Sequence, residues 1–391
     1  MKTGWFKNVL ESAQIRINVP DNSEHADEQV YWLADFWAIA EAAVHESTES
    51  GQNGYHVYFA TTLVLIYEQT NSKEDISKCC SKIHGFIKST YPDMAPTFGN
   101  LLSTKQDIYT DTENLLNRRI SKLITPRHNA FWSSFYNSSQ IFIDLYLFRL
   151  YCFTEVDSVI SEYLRNQKDE LSFIILCMIA AAANANKKLE LQEVKLFNLF
   201  LGHTFLSEER KKAANQFLEN GSNLNQIDLS EFDSWAVRKF LLELAMATTW
   251  SDGVLDKDEE NFIVELARKL KLTDKDVDSS FVRVESFLLV HNKNEFKVIE
   301  GYLSSRVKQI LIAHKQEIIR SFKSDSKLRT SLKQASIQSL NKTAKAQLSQ
   351  AVMNQLQSLP VFRGIRFQDM NWTYEKLLKI LPKDVVRSVM H

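Results

Sequence analysis

Apolar residues along this chain recur with the 3.6-residue period of a helix. Residues 1–27 hold a short amphipathic start and the polar stretch NVPDNSEHADEQ, read as a loop. Residues 28–48 place Trp32, Phe36, Trp37, Ile39, Ala40 and Val44 on one side of a helix, which the tract ESTESGQNG ends. Tyr55–Glu68 and Glu74–Tyr91 predict two more helices, with a connection marked by Pro92 and Pro96. A helix around Asp111–Ser121 stops before Pro126. Asn129–Thr154 is rich in aromatic residues, among them Phe135, Tyr136, Phe142, Tyr146, Phe148 and Tyr151. A stripe of that kind predicts core rather than a ligand box.

From Leu171 the chain becomes self-similar at a period of 66 residues. NANKKLELQE (184–193) aligns with WSDGVLDKDE (250–259), which sets Asn186 on Asp252, Leu189 on Leu255, Glu190 on Asp256 and Glu193 on Glu259. Small apolar residues precede both turns, an apolar helix follows each, and a charged third element completes each copy. The two copies, about 171–285, are expected to form one helical bundle.

The turn has a backbone purpose. Gly253 can adopt positive φ and reverse the chain. Asp256 and Glu259 have capping-box spacing, in which the first carboxylate accepts from backbone N–H groups and the second reaches back to the cap N–H. The spacing does not suit an EF-hand loop, because Gly253 directly follows Asp252. A looser, water-rich site for Ca²⁺ or Mg²⁺ built from Asp252, Asp256 and Asp258, with Glu259 and Glu193, is the alternative.

Composition sharpens the fold class. Ten glycines and six prolines are about 4% of 391 residues, and no proline occurs between Pro126 and Pro360. Sandwiches, barrels and propellers need many more turn residues, and no G-x-G-x-x-G or G-x-x-x-x-G-K-[ST] supports a nucleotide-binding sheet. An all-α protein with helix above roughly 60% of residues is expected. The four cysteines include no C-x-x-C and read as buried thiols in a reducing compartment. The N-terminus lacks an apolar signal core. The longest apolar run, Phe173 to Ala183, is 11 residues, against the ~20 that span a bilayer. A cytoplasmic location is expected, with peripheral membrane association as a further option.

Net charge is −1, yet it is unevenly placed. Tyr302 to His391 contains sixteen Lys and Arg against five acids, a balance of +11, and the rest of the chain carries −12. Such a segment either packs on the acidic remainder or faces a polyanion. Leu332, Leu340, Ala344, Leu348, Val352 and Leu356 form an i, i+4 ladder that predicts one long helix ending before Pro360. Lys333, Lys342 and Lys345 lie off that stripe. Arg363 and Arg366 stand beside Phe362, Phe367 and Trp372, and Lys376 and Lys379 follow. Cations beside aromatics suit unpaired bases and phosphates, and also an anionic membrane interface. RNA, the ribosome or an anionic membrane surface are therefore the candidate partners, beside an unidentified protein.

Nothing points to catalysis. There is no G-x-S-x-G and no H-E-x-x-H. Glu41 and His45 are one helical turn apart, without a second ligand pair.

Two resemblances add to these readings. The paired units with Ser251-Asp252-Gly253, Leu255 and Glu259 resemble the TerB (tellurite-resistance) domain, an all-α fold of two such repeats whose acids are suspected of binding metal ions. Asn186 and Lys187 stand where that pattern has Asp and Gly. The tail from Ser326 to Phe362, followed by YEKLLKILPK, is similar to the ribosome-binding-like domain of the leucine-zipper/EF-hand transmembrane (LETM) family. The overall layout resembles the bacterial LETM-related, biofilm-associated proteins. Between its two Leu-Pro elements (Leu359-Pro360 and Leu381-Pro382) this chain has the polar RGIRFQDMNWT, so membrane insertion is not expected there. The resemblances imply three regions: an N-terminal helical region (1–160), a TerB-like bundle (165–290) and a basic LETM-like segment (300–391). They imply a non-enzymatic interaction protein linked to stress response or to biofilm and envelope physiology.

Overall fold

The computed structural model describes Phe6 and residues 54–71, 76–94, 107–124, 131–154, 158–221, 224–230, 232, 234–291, 296–362, 367 and 372–390. The helix expected over 28–48, the Glu41/His45 pair, Arg363 and Arg366 lie outside them. The described residues are 82% helical and contain 16 α-helices and no strand, so the all-α class stands. Their contacts group into two units, Met1–Leu241 and Leu242–His391.

In the first unit, α1 (Gly54–Asn71), α2 (Ile76–Thr90) and α3 (Ile108–Ile120) surround α4 (Phe131–Phe153) and α5 (Ser158–Ala183), followed by α6 (Leu191–His203) and α7 (Glu208–Glu219). Every residue of α4 from Ser134 to Phe148 is buried, and so is α5 from Ile174 to Ala183. Both helices are buried on all sides over these stretches, and the aromatic stripe of α4 is core as expected. All four cysteines are buried, and none forms a disulfide.

A buried ion pair crosses this interior. Arg119 on α3 donates from Nε to Asp144 on α4 at 2.7 Å. Tyr91, just after α2, donates its hydroxyl to the other Asp144 oxygen, and the Arg119 guanidinium lies 4.7 Å over the Tyr91 ring. Arg119 and Asp144 are almost wholly buried. Burying a charge is costly, and removing one partner of such a pair is costlier than removing both.

The boundary between the units falls inside α8 (Trp235–Thr249). The second unit continues with α9 (Lys257–Lys269), α10 (Asp274–His291), α11 (Ile299–Ala313), α12 (Lys315–Ser324), α13 (Ser326–Ile337), α14 (Lys342–Gln357), α15 (Tyr374–Ile380) and α16 (Lys383–Met390). The repeat is written into these bounds. α5 ends at Ala183 and α8 at Thr249, α6 starts at Leu191 and α9 at Lys257, and α7 starts at Glu208 and α10 at Asp274. Each pair is offset by 66 residues.

The single long helix expected from Leu332 to Leu356 is corrected to two. α13 stops at Ile337, Gln338 turns to extended backbone, and Asn341 caps α14 by accepting from the Ala344 N–H at 2.8 Å. Asn strongly favours such a cap, and its side chain wins over a ladder that continues across the break.

Replacing Asp144 with Asn should cost about 3–5 kcal/mol, because Arg119 is left as an uncompensated buried charge. The double change Arg119→Met with Asp144→Leu should cost less. Urea unfolding of the three proteins checks the order.

Candidate functional site

The turn between α8 and α9 is built by its own side chains. The Gly253 N–H donates to the Trp250 carbonyl at 2.9 Å, and Gly253 has φ 87°. Asp252 Oδ1 accepts from the Val254 N–H at 2.9 Å. Asp256 Oδ1 accepts from the N–H groups of Asp258 and Glu259 at 2.9 and 3.0 Å. Glu259, buried, accepts from the Asp256 N–H at 2.8 Å. The expected capping box is present.

The first copy makes the same turn with different residues. Asn186 Oδ1 accepts from the Lys188 N–H at 2.9 Å, and Lys187 holds φ 61° where Gly253 stands in the second copy. Glu193, buried like Glu259, accepts from the Glu190 N–H at 2.9 Å. An amide in place of the Asp252 carboxylate leaves the turn intact, so its geometry does not depend on that charge. Asp252 and Asp258 are exposed. Among the described residues, no group of three or more His, Cys, Asp or Glu is set to hold a metal ion.

Behind this turn, Arg306 on α11 links three helices of the second unit. Its Nε donates to Glu285 of α10 at 2.6 Å, its terminal nitrogen lies 3.2 Å from Glu260 of α9, and its guanidinium sits 3.8 Å over the Phe281 ring. Burial pushes the Glu285 carboxyl up to about 7, against the pull of Arg306.

Arg306 is one of sixteen cations in 302–391. Three more are engaged at the surface: Lys315 with Asp384, Lys376 with Glu300, and Lys345 with Glu375 at 2.9 Å. The hydrogen bond from Lys315 holds the Asp384 carboxyl below its ordinary range. Asp325 caps α13, and Glu317 lies 3.6 Å from His314 Nδ1. Every described acid of 299–390 therefore has a local partner.

The cations do not. Lys308, Arg320, Lys323, Lys327, Arg329, Lys333, Lys342, Lys379, Lys383 and Arg387 are exposed and have no carboxylate partner among the described residues. Three helices arrange most of them in one way. α12, α13 and α16 pack on one another. Each buries an apolar pair one turn apart: Ile318 and Phe322, Leu328 and Leu332, Val385 and Val389. Each exposes a cation pair one turn apart: Arg320 and Lys323, Arg329 and Lys333, Lys383 and Arg387.

Of the residues singled out from sequence, Lys333, Lys342 and Lys379 are exposed in this way, and Lys345 and Lys376 stand in ion pairs. The stacking platform expected from Phe362, Phe367 and Trp372 is corrected. All three rings are buried and pack on one another, with centroids 5.3 and 5.5 Å apart.

The chain matches no protein-family model, no curated protein and no solved structure.

Asp256→Ala should lower stability by about 1 kcal/mol, by the same amount with and without millimolar Ca²⁺ or Mg²⁺. Thermal melts of the full chain check this, and a cation-dependent rise in the wild-type melting temperature would favour a metal site instead.

Glu285 gives a pH prediction. Its folded value of about 7 lies above the ordinary 4.5. Its contribution to stability is therefore full below pH 4.5 and is lost as pH rises towards 7. Unfolding free energies measured across that window should fall more steeply for wild type than for Glu285→Gln.

Proposed function

We propose that this is a non-enzymatic interaction protein whose C-terminal helices dock on a polyanionic surface. The observation that carries the reading is the one-sided pairing in residues 299–390. The described acids there have local partners, while ten exposed cations have no carboxylate partner among the described residues. Unpaired cations on mutually packed helices create an outward positive field, which attracts polyanions and speeds their encounter. The resemblance to LETM-type proteins fits such docking, and the TerB-type resemblance fits a place in stress or envelope physiology. The acidic turn acts here as a structural cap that positions α9.

The full chain should be retained on a heparin resin at low salt and released as salt rises, because counterion release makes such binding steeply salt-dependent. Arg329→Glu with Lys333→Glu should elute at clearly lower salt. Wild type in the flow-through at low ionic strength would contradict the reading.

A further inference from the structure

The exposed apolar residues near these cations narrow the kind of polyanion. On α13, Arg329, Lys333 and Ile337 follow one another at i, i+4 and i+8 along the exposed side, and Ile337 is 85% exposed. On α11, Lys308 and Ile312 repeat the spacing, with Ile312 56% exposed. On α15, Leu378 is exposed next to Lys379. Residues four apart on a helix are surface neighbours, so each isoleucine stands beside a cation that lacks a carboxylate partner.

An aliphatic side chain gains nothing from a phosphate backbone. Single-stranded nucleic acid is held by exposed aromatic rings as well as by charge; here Phe362, Phe367 and Trp372 are buried, Tyr302, 40% exposed, packs its ring edge against Trp250, and Tyr374 lies under Lys345. A bilayer rewards the opposite arrangement. Isoleucine leaves water at the boundary between headgroups and acyl chains, while the neighbouring lysine or arginine keeps its charge among the phosphates. Basic residues next to a membrane surface each strengthen attachment to anionic lipid.

We propose that the polyanion is an anionic lipid bilayer, bound peripherally through Ile337 with Arg329 and Lys333 on the headgroups. This rests on the polyanion reading above and specifies its partner. No described helix is long and apolar enough to cross a membrane, so attachment is at the surface.

The test is co-sedimentation of the full chain with vesicles of phosphatidylcholine alone, with vesicles containing 30% phosphatidylglycerol, and with ribosomes. Wild type should pellet with the anionic vesicles at low salt and not with the neutral ones. Ile337→Ser removes only an exposed side chain, and an unchanged melting temperature confirms its fold. It should bind anionic vesicles roughly tenfold or more weakly, with heparin retention unchanged. Pelleting with ribosomes but not with anionic vesicles would overturn the bilayer and leave the polyanion reading standing. Undiminished vesicle binding by the isoleucine variant would also overturn the bilayer contact as drawn. Heparin flow-through together with failure to pellet with vesicles and ribosomes would remove both.

Discussion

A short helix that buries a single pair of apolar residues turns most of its surface outward, and α12, α13 and α16 live under that constraint. Their buried residues are Ile318 and Phe322, Leu328 and Leu332, and Val385 and Val389. Apolar burial of this size fixes the orientation of each helix. The cation pairs then have no choice of face. The positive surface of the second unit follows from how those six residues are placed, and the docking proposed here depends on it.

Charge elsewhere in the molecule is handled differently. Arg119 and Arg306 are the same residue type as Arg329, yet each meets a buried carboxylate at hydrogen-bond distance and lies over an aromatic ring. Planar guanidinium groups suit that dual role better than an ammonium does. These interior pairs organise α2–α4 and α9–α11. The surface lysine pairs, whose carboxylates stay open to water, contribute little to stability. They do fix the positions of the acids, which leaves the other cations without local competition for an external anion.

Much of the fold was legible because local chemistry and periodicity agreed. The 66-residue repeat shows in the sequence as cap residues at fixed offsets, and the structure uses Asn186 and Asp252, and Glu193 and Glu259, in equivalent hydrogen bonds. The equivalence does not extend to every side chain: Leu255 is buried, and its aligned partner Leu189 is 45% exposed. The break at Asn341 was hidden because the i, i+4 ladder runs on through it, so periodicity alone could not see a cap. The aromatic platform was misread for a related reason. Phe362, Phe367 and Trp372 adjoin cations in sequence, but adjacency says nothing about which side of the backbone is buried. The Arg119–Asp144 and Arg306–Glu285 pairs join residues 25 and 21 positions apart, beyond any local pattern. The exposed cation pairs carried a usable signal, namely Lys or Arg one turn apart, set off the stripe of an apolar pair one turn apart.

The central claim is that the positive charge of the C-terminal helices acts outward on a polyanion. Amine-reactive footprinting of the full chain, with and without heparin and read by mass spectrometry, tests it at single-residue level. The account predicts that Lys323, Lys327, Lys333 and Lys383 become protected, while the exposed Lys195 and Lys212 of the first unit keep their reactivity. Equal protection of both sets, or protection of Lys195 and Lys212 alone, would contradict it.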